Sequence, residues 1–273
     1  MQGGPLLPRA LIGDAGGPIE GPPVRWCAGR ASTRVTELAQ RQTLPRSQHD
    51  AMVVQEQLIG TNNLKPISYL MWAFQISAAV ALVQVPGRGT GTGFLIGANI
   101  LLTNNHVLRS ASEAAVAKAR FNYQYDRSGR LEPSEYFDLQ PGLVFHTNVA
   151  LDYTIVGVAG APGHRYGVIP VSGNTMVNVG EPVTIIQHPL GQPKQIAMVD
   201  NEVKYADATI VQYLTDTLPG SSGSPVFNGD FELIGLHHSG GWVPEPETSS
   251  THFRNEGIYI GAIVADLAGN GFT

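Results

Sequence analysis

The chain has 273 residues, a formal net charge of −5, a hydrophobic content of 42% and only 14% charged residues. That length suits one large all-β domain with an extension, or two smaller domains, and the weak acidity excludes the basic footprint of a nucleic-acid binder. Thirty-two glycines and 19 prolines beside so few charges fit short strands and many turns rather than a helical bundle.

The first 30 residues hold seven Gly and five Pro, a density that predicts irregular or disordered chain. No basic start followed by an apolar block opens the sequence, so a cytoplasmic home is expected; the single cysteine, Cys27, fits that home and a disulfide-free secreted protein alike. Cys27 reads as a free thiol without a role. Residues 31–58 carry helix formers with a loose helical period broken near Pro45, which predicts one or two short helices. Residues 1–70 together read as an extension: a pro-segment, a docking arm for a regulatory protein partner, or a brace. The most apolar stretch is 70–85. It is interrupted by Gln75, Ser77 and Gln84 and is shorter than a membrane span, so a buried element is expected and no membrane partner.

From Ser77 the character changes to short β-branched and aromatic runs between turn residues. Strands are expected at 79–85, 93–97, 100–104, 152–158, 182–187, 208–213, 224–228, 232–237 and 257–263. Residues 111–120 form the one clear helical insert. The glycine-rich run 87–93 leads into an apolar strand rather than a helix, so it reads as a strand-connecting turn and not as a phosphate loop. The histidines have no metal-ligand spacing, and no cofactor signature stands in a usable context.

Three segments carry the chemistry. Pro219-Gly220-Ser221-Ser222-Gly223-Ser224-Pro225 precedes a strand, and a serine nucleophile needs such a tight, glycine-permitted turn. Thr103-Asn104-Asn105-His106 ends an apolar strand, and Leu151-Asp152-Tyr153 opens another. Each alone reads as readily as a turn. Together they run His, Asp, Ser with separations of 46 and 70 residues. That is the chymotrypsin order; subtilisins and α/β-hydrolases run differently. Ser221 and Ser224 are rival nucleophiles, and Ser222 alone fits Gly-x-Ser-Gly-x-Pro.

With these residues in place, 77–265 resembles a trypsin-like peptidase domain of the bacterial type, with glutamyl endopeptidases the nearest well-known relatives. The matching blocks are 91–96, 103–108, 151–156, 187–194, 219–228 and 233–241. The resemblance implies an all-β fold of two packed six-stranded antiparallel barrels, about 77–162 and 163–265, with a partly helical N-terminal extension. It implies a serine endopeptidase acting on protein or peptide substrates through His106, Asp152 and Ser222. The backbone N–H groups of Gly220 and Ser222 would form the oxyanion hole, and no cofactor or metal would be used. The alternative is a latent or inactive protease-fold binding module, regulated by its N-terminal arm or a partner.

By the same resemblance, Asp216, Thr217, His237, Ser239 and Gly240 line the substrate pocket. An aspartate at the position of Asp216 would select basic side chains. A histidine at the position of His237 would receive acidic ones, with Thr217 a further donor. His238, beside it, makes the register ambiguous by one residue. The two selectivities oppose each other, and the cleavage preference stays open.

Overall fold

The computed structural model describes residues 64–246, 248 and 250–272. The expectations for residues 1–63, including the two helices before Leu58, the arm and Cys27, lie outside the described residues. No described helix is long and apolar enough to cross a membrane.

The described chain opens with helix α1 (Ser68–Ser77) and continues as strands. The first sheet contains β1 (Val80–Val85), β2 (Gly89–Gly97), β3 (Ile100–Thr103), β4 (Lys118–Phe121), β5 (Glu135–Asp138), β6 (Phe145–Asn148) and β7 (Tyr153–Gly157). All its pairings are antiparallel, in the order β5-β4-β1-β2-β3-β7-β6. The second contains β8 (Thr184–Gln187), β9 (Gln195–Ala197), β10 (Glu202–Ala206), β11 (Ile210–Leu214), β12 (Pro225–Phe227), β13 (Leu233–Pro244) and β14 (Thr251–Tyr259). It is also antiparallel, in the order β10-β11-β14-β13-β12-β8-β9. Two short helices, α2 (Ala111–Ala114) and α3 (Gly163–Tyr166), interrupt the first half, and α4 (Ile260–Gly269) ends the chain.

Each sheet has seven strands where the resemblance implies six, and the reason is local. β5 and β6 are consecutive in sequence yet stand at opposite ends of their sheet. The segment between them crosses the seam: Ala159 N–H donates to Asp138 O at 3.0 Å, and Gly157 N–H to Val144 O at 2.9 Å. They are one bent strand, broken at Pro141-Gly142, where proline has no N–H to give to a ladder. β9 and β10 repeat this in the second half. Val203 N–H donates to Glu181 O at 2.9 Å across that seam, and the break holds Asp200 at φ +55°. The two broken strands thus curl each sheet back on itself.

β1, β3 and β7 are buried on both faces almost throughout, so their sequences read as continuous apolar runs. Val183, Ile185, Val203, Val211, Tyr213, Val226 and Ile234 form the core of the second half.

Four sequence expectations need correction. The stretch 70–85 is not one buried element. It divides into α1, on which Leu70, Met71 and Phe74 are exposed, and the buried strand β1. The 111–120 insert is helical only to Ala114, and its last residues already form β4, because Lys118 and Arg120 pair in register with Gln84 and Leu82. The strand expected at 257–263 stops at Tyr259, and 260–263 begin α4. The glycine run 87–93 is mostly the first half of β2 rather than a turn.

α4 buries Ile260, Ile263 and Leu267, a helical spacing. Its Asp266 accepts the Tyr153 hydroxyl and lies 3.3 Å from His146 Nε2, joining the chain's end to the first sheet. Lys194, half-buried, donates from Nζ to Ser77 O at 2.6 Å and to Gln124 Oε1 at 3.2 Å.

Candidate active site

The turn after β3 carries His106 and is pinned from several sides. Asn104 Nδ2 donates to Asp152 O at 2.9 Å, and Asn105 Nδ2 to Thr147 Oγ1 at 2.8 Å. Thr154 Oγ1 donates to Leu108 O at 2.9 Å. The His106 ring is thereby fixed at the sheet's end while its side chain stays 41% exposed.

Asp152 ends the turn before β7 in a left-handed conformation, φ +43°, which aspartate tolerates better than most residues. That geometry aims both carboxylate oxygens at His106. Oδ1 accepts the His106 backbone N–H at 2.9 Å, and Oδ2 lies 2.7 Å from Nδ1. Burial pushes the Asp152 carboxyl up. The hydrogen bonds from the His106 ring, the His238 ring and the His106 N–H outweigh it and hold the group well below the usual carboxylate range.

Ser222 lies in the connection from β11 to β12. Gly220 at φ +97° and Gly223 at φ +87° make the turn, and a Cβ on Gly223 would stand 2.0 Å from Thr92 O. The three serines differ sharply. Ser221 and Ser224 are fully buried; Ser221 Oγ accepts Leu218 N–H at 3.2 Å, and Ser224 Oγ donates to Ser221 O at 2.6 Å. Ser222 is half-buried. Among the described residues its hydroxyl has no hydrogen-bond partner, nor have the N–H groups of Gly220 and Ser222, nor His106 Nε2.

Strand β2 joins the two halves of the site. Thr92 N–H donates to Ser222 O at 2.8 Å, and Thr92 Oγ1 donates to Gly220 O at 2.9 Å while accepting His188 N–H at 3.1 Å. A Cβ on Gly91 would meet Val107 Cγ1 at 2.7 Å on one side and Ser222 O at 3.3 Å on the other. The segments carrying His106 and Ser222 therefore flank the same glycine. The structure makes the bond between His106 and Asp152 and sets Ser222 alongside, without a bond from Ser222 to His106.

The five expected pocket residues fare differently. Asp216 is exposed, and its carbonyl accepts Gln187 Nε2 at 2.9 Å. Thr217 Oγ1 donates to Asn255 Oδ1 at 2.7 Å, and Asn255 Nδ2 donates to Thr215 O at 2.6 Å. Gly240 pairs with Asn255 across the β13–β14 ladder, and a Cβ there would fall 2.1 Å from Asn255 Oδ1. The Asn255 carboxamide thus fills the recess between Thr217 and Gly240. His237 is buried, with Nδ1 2.9 Å from the hydroxyl of fully buried Tyr213. Burial, with the charges of His238 and His106, lowers His237 to about 3, so its ring is neutral at pH 7. Ser239 pairs with Glu256, and its Oγ lies 3.3 Å from His238 Nε2.

Sequence reading missed Thr92, Asn255, Glu256 and the contact of His238 with Asp152. Thr92 lies inside the 91–96 block and was within reach. The other three depend on the β13–β14 register, which slips between His237 and Ser239 and leaves no local signal.

Comparison with known proteins gives the family and the fold. The chain is 35% identical over 257 residues to an uncharacterized protein, y4fB, of Sinorhizobium fredii, covering 78% of this chain and 39% of that one. It is 28% identical over 176 residues to the glutamyl endopeptidase of Staphylococcus epidermidis, covering 59% of each. The chain thus spans less than two thirds of each of these relatives. Among solved structures, the Rv3671c protease of M. tuberculosis in its inactive form matches with a TM-score of 0.54 at 16% identity, over 78% of this chain and 100% of that one. That likeness shows the chymotrypsin-like fold alone. A family model, the trypsin-like peptidase domain, matches residues 91–236, which hold His106, Asp152 and Ser222, and the chain belongs to that family.

Proposed function

We propose that the protein is a serine endopeptidase that hydrolyses peptide bonds through an acyl-enzyme on Ser222. The observation that carries this is the double hold of Asp152 on His106, ring and backbone, beside the one partly exposed serine of the glycine turn. Asp152 keeps the proton on His106 Nδ1, so Nε2 is free to take one from Ser222. Ser222 attacks the carbonyl; the free N–H groups of Gly220 and Ser222 receive the oxyanion; His106 returns its proton to the leaving amine. Water then repeats the sequence against the acyl-enzyme. Catalytic hydrogen bonds tighten in the substrate complex, so the unmade bond from Ser222 to His106 is compatible with this role.

The recess filled by Asn255 favours small, uncharged residues on the acyl side of the cleaved bond. Asp216 in solvent offers no anionic floor for a basic side chain, and a neutral His237 offers no cation to an acidic one.

The test is labelling by a fluorophosphonate probe. Wild type is expected to label and Ser222→Ala not to, while Asp152→Asn slows turnover by about 10⁴-fold. A folded wild type that does not label favours the second reading, a latent or inactive protease-fold module. The filled recess and the unmade serine–histidine bond are the observations on its side.

A further inference from the structure

Asp152 carries a second imidazole. His238 Nδ1 lies 3.4 Å from Asp152 Oδ2, the oxygen that His106 Nδ1 also approaches, and His238 Nε2 lies 3.0 Å from Glu256 Oε1. One ring nitrogen is hydrogen-bonded to Glu256 and the other faces the Asp152 carboxylate, an arrangement that favours the imidazolium. Burial works against that charge, but the hydrogen bonds to Asp152 and Glu256 and the charges of both raise His238 to about 9.

The backbone explains how the ring gets there. The register of β13 against β14 slips between His237 and Ser239. His237 keeps its place against Tyr213, and the extra residue, His238, is turned towards Asp152. Beyond Glu256 the network continues. Gln212 Nε2 donates to Glu256 Oε2 at 2.9 Å, Arg254 Nη1 to Gln212 Oε1 at 3.2 Å and to Glu245 Oε2 at 2.6 Å. Gln212 is fully buried, so this is a fixed scaffold rather than a solvated surface pair.

We propose that His238, clamped between Asp152 and Glu256, is a positioning residue that fixes the Asp152 carboxylate for His106 and anchors it to the β13–β14 hairpin. The inference rests on the proposed peptidase reading. Without His238, two half-buried carboxylates share a site with no cation between them, and Asp152 loses the ring that stands 3.4 Å from Oδ2.

The experiment measures kcat and KM on a peptide substrate, with thermal melting as the check on folding, for wild type, His238→Ala, His238→Ser and His238→Ala/Glu256→Gln. His238→Ala is expected to lower kcat by roughly ten- to a hundred-fold, the loss of one close charge beside Asp152, with KM unchanged. His238→Ser recovers part of it through a hydroxyl donor, and adding Glu256→Gln to His238→Ala recovers part by removing the opposed carboxylate. Wild-type kcat in a folded His238→Ala, or a rise in KM alone, overturns the proposal. A second readout needs no turnover: ring NMR of His238 in wild type and Asp152→Asn. The wild-type ring should stay protonated past pH 8, and the Asp152→Asn ring should release its proton at lower pH. An unchanged titration overturns the link even if the peptidase reading itself has failed.

Discussion

Gly223 shows how much of the site rests on single positions. Its φ of +87° would strain any L residue, and the Cβ would stand 2.0 Å from the Thr92 carbonyl oxygen of β2, which accepts the Thr103 hydroxyl at 2.7 Å. Gly87 is the control: its φ is +78°, but nothing lies within 4 Å of its Cβ position. Gly87→Ala should cost only the conformational strain, about 1–2 kcal/mol. Gly223→Ala carries that strain plus the clash, and it should also abolish probe labelling because Ser222 moves with its neighbour. Urea unfolding of the two variants measures the difference; equal losses would mean that the β2 carbonyl yields freely.

The register of the β13–β14 hairpin sets Asn255 against Gly240, and on the proposed peptidase reading that pairing limits what the recess accepts. Asn255→Gly removes the carboxamide and its two hydrogen bonds, each a net 0.5–1.5 kcal/mol at about the usual size. If the peptidase reading holds, a peptide panel cleaved by the variant should shift towards larger residues on the acyl side of the bond, and an unshifted panel would place the recess elsewhere. Elements also set the limit of what the sequence disclosed. β1, β3, β7 and β8 were legible because burial on both faces writes a continuous apolar run. β5, with alternating half-buried and exposed residues, and the three-residue β9 gave no such run. In 257–263 the β-branched residues suggested a strand, while Ile260, Ile263, Val264 and Leu267 already carried a helical period; a window that stops at residue 263 cannot separate the two. The residues of the glycine turn, His106 and Asp152 were legible because each sits at the end of a strand with its own local signal. Asn255 and the role of His238 were not, since both arise from pairing between strands.

The molecule as a whole should respond to pH through groups that oppose one another. Burial lowers His188 and His237 to about 3 from an ordinary 6.5. Between those values the unfolded chain binds protons that the folded chain refuses, so stability falls as pH drops from 6.5 towards 3. His238 has the opposite sign. Its folded value of about 9 means its contribution is complete below 6.5 and is lost as pH rises through 9. Lys194 opposes that loss: burial lowers it to about 7 from 10.5, so between 7 and 10.5 the unfolded chain holds the extra proton and stability rises with pH. Each single-proton slope is about 1.4 kcal/mol per pH unit. From pH 7 to 9 the slopes of His238 and Lys194 cancel, and wild-type unfolding free energy should be nearly level there. His238→Gln leaves the lysine slope alone, so its stability should climb over that range; Lys194→Met leaves the histidine slope alone and should decline. Urea unfolding at pH 7, 8 and 9 separates the three proteins. Parallel curves for all three would show that neither the carboxylates around His238 nor the burial of Lys194 shifts its titration into this range.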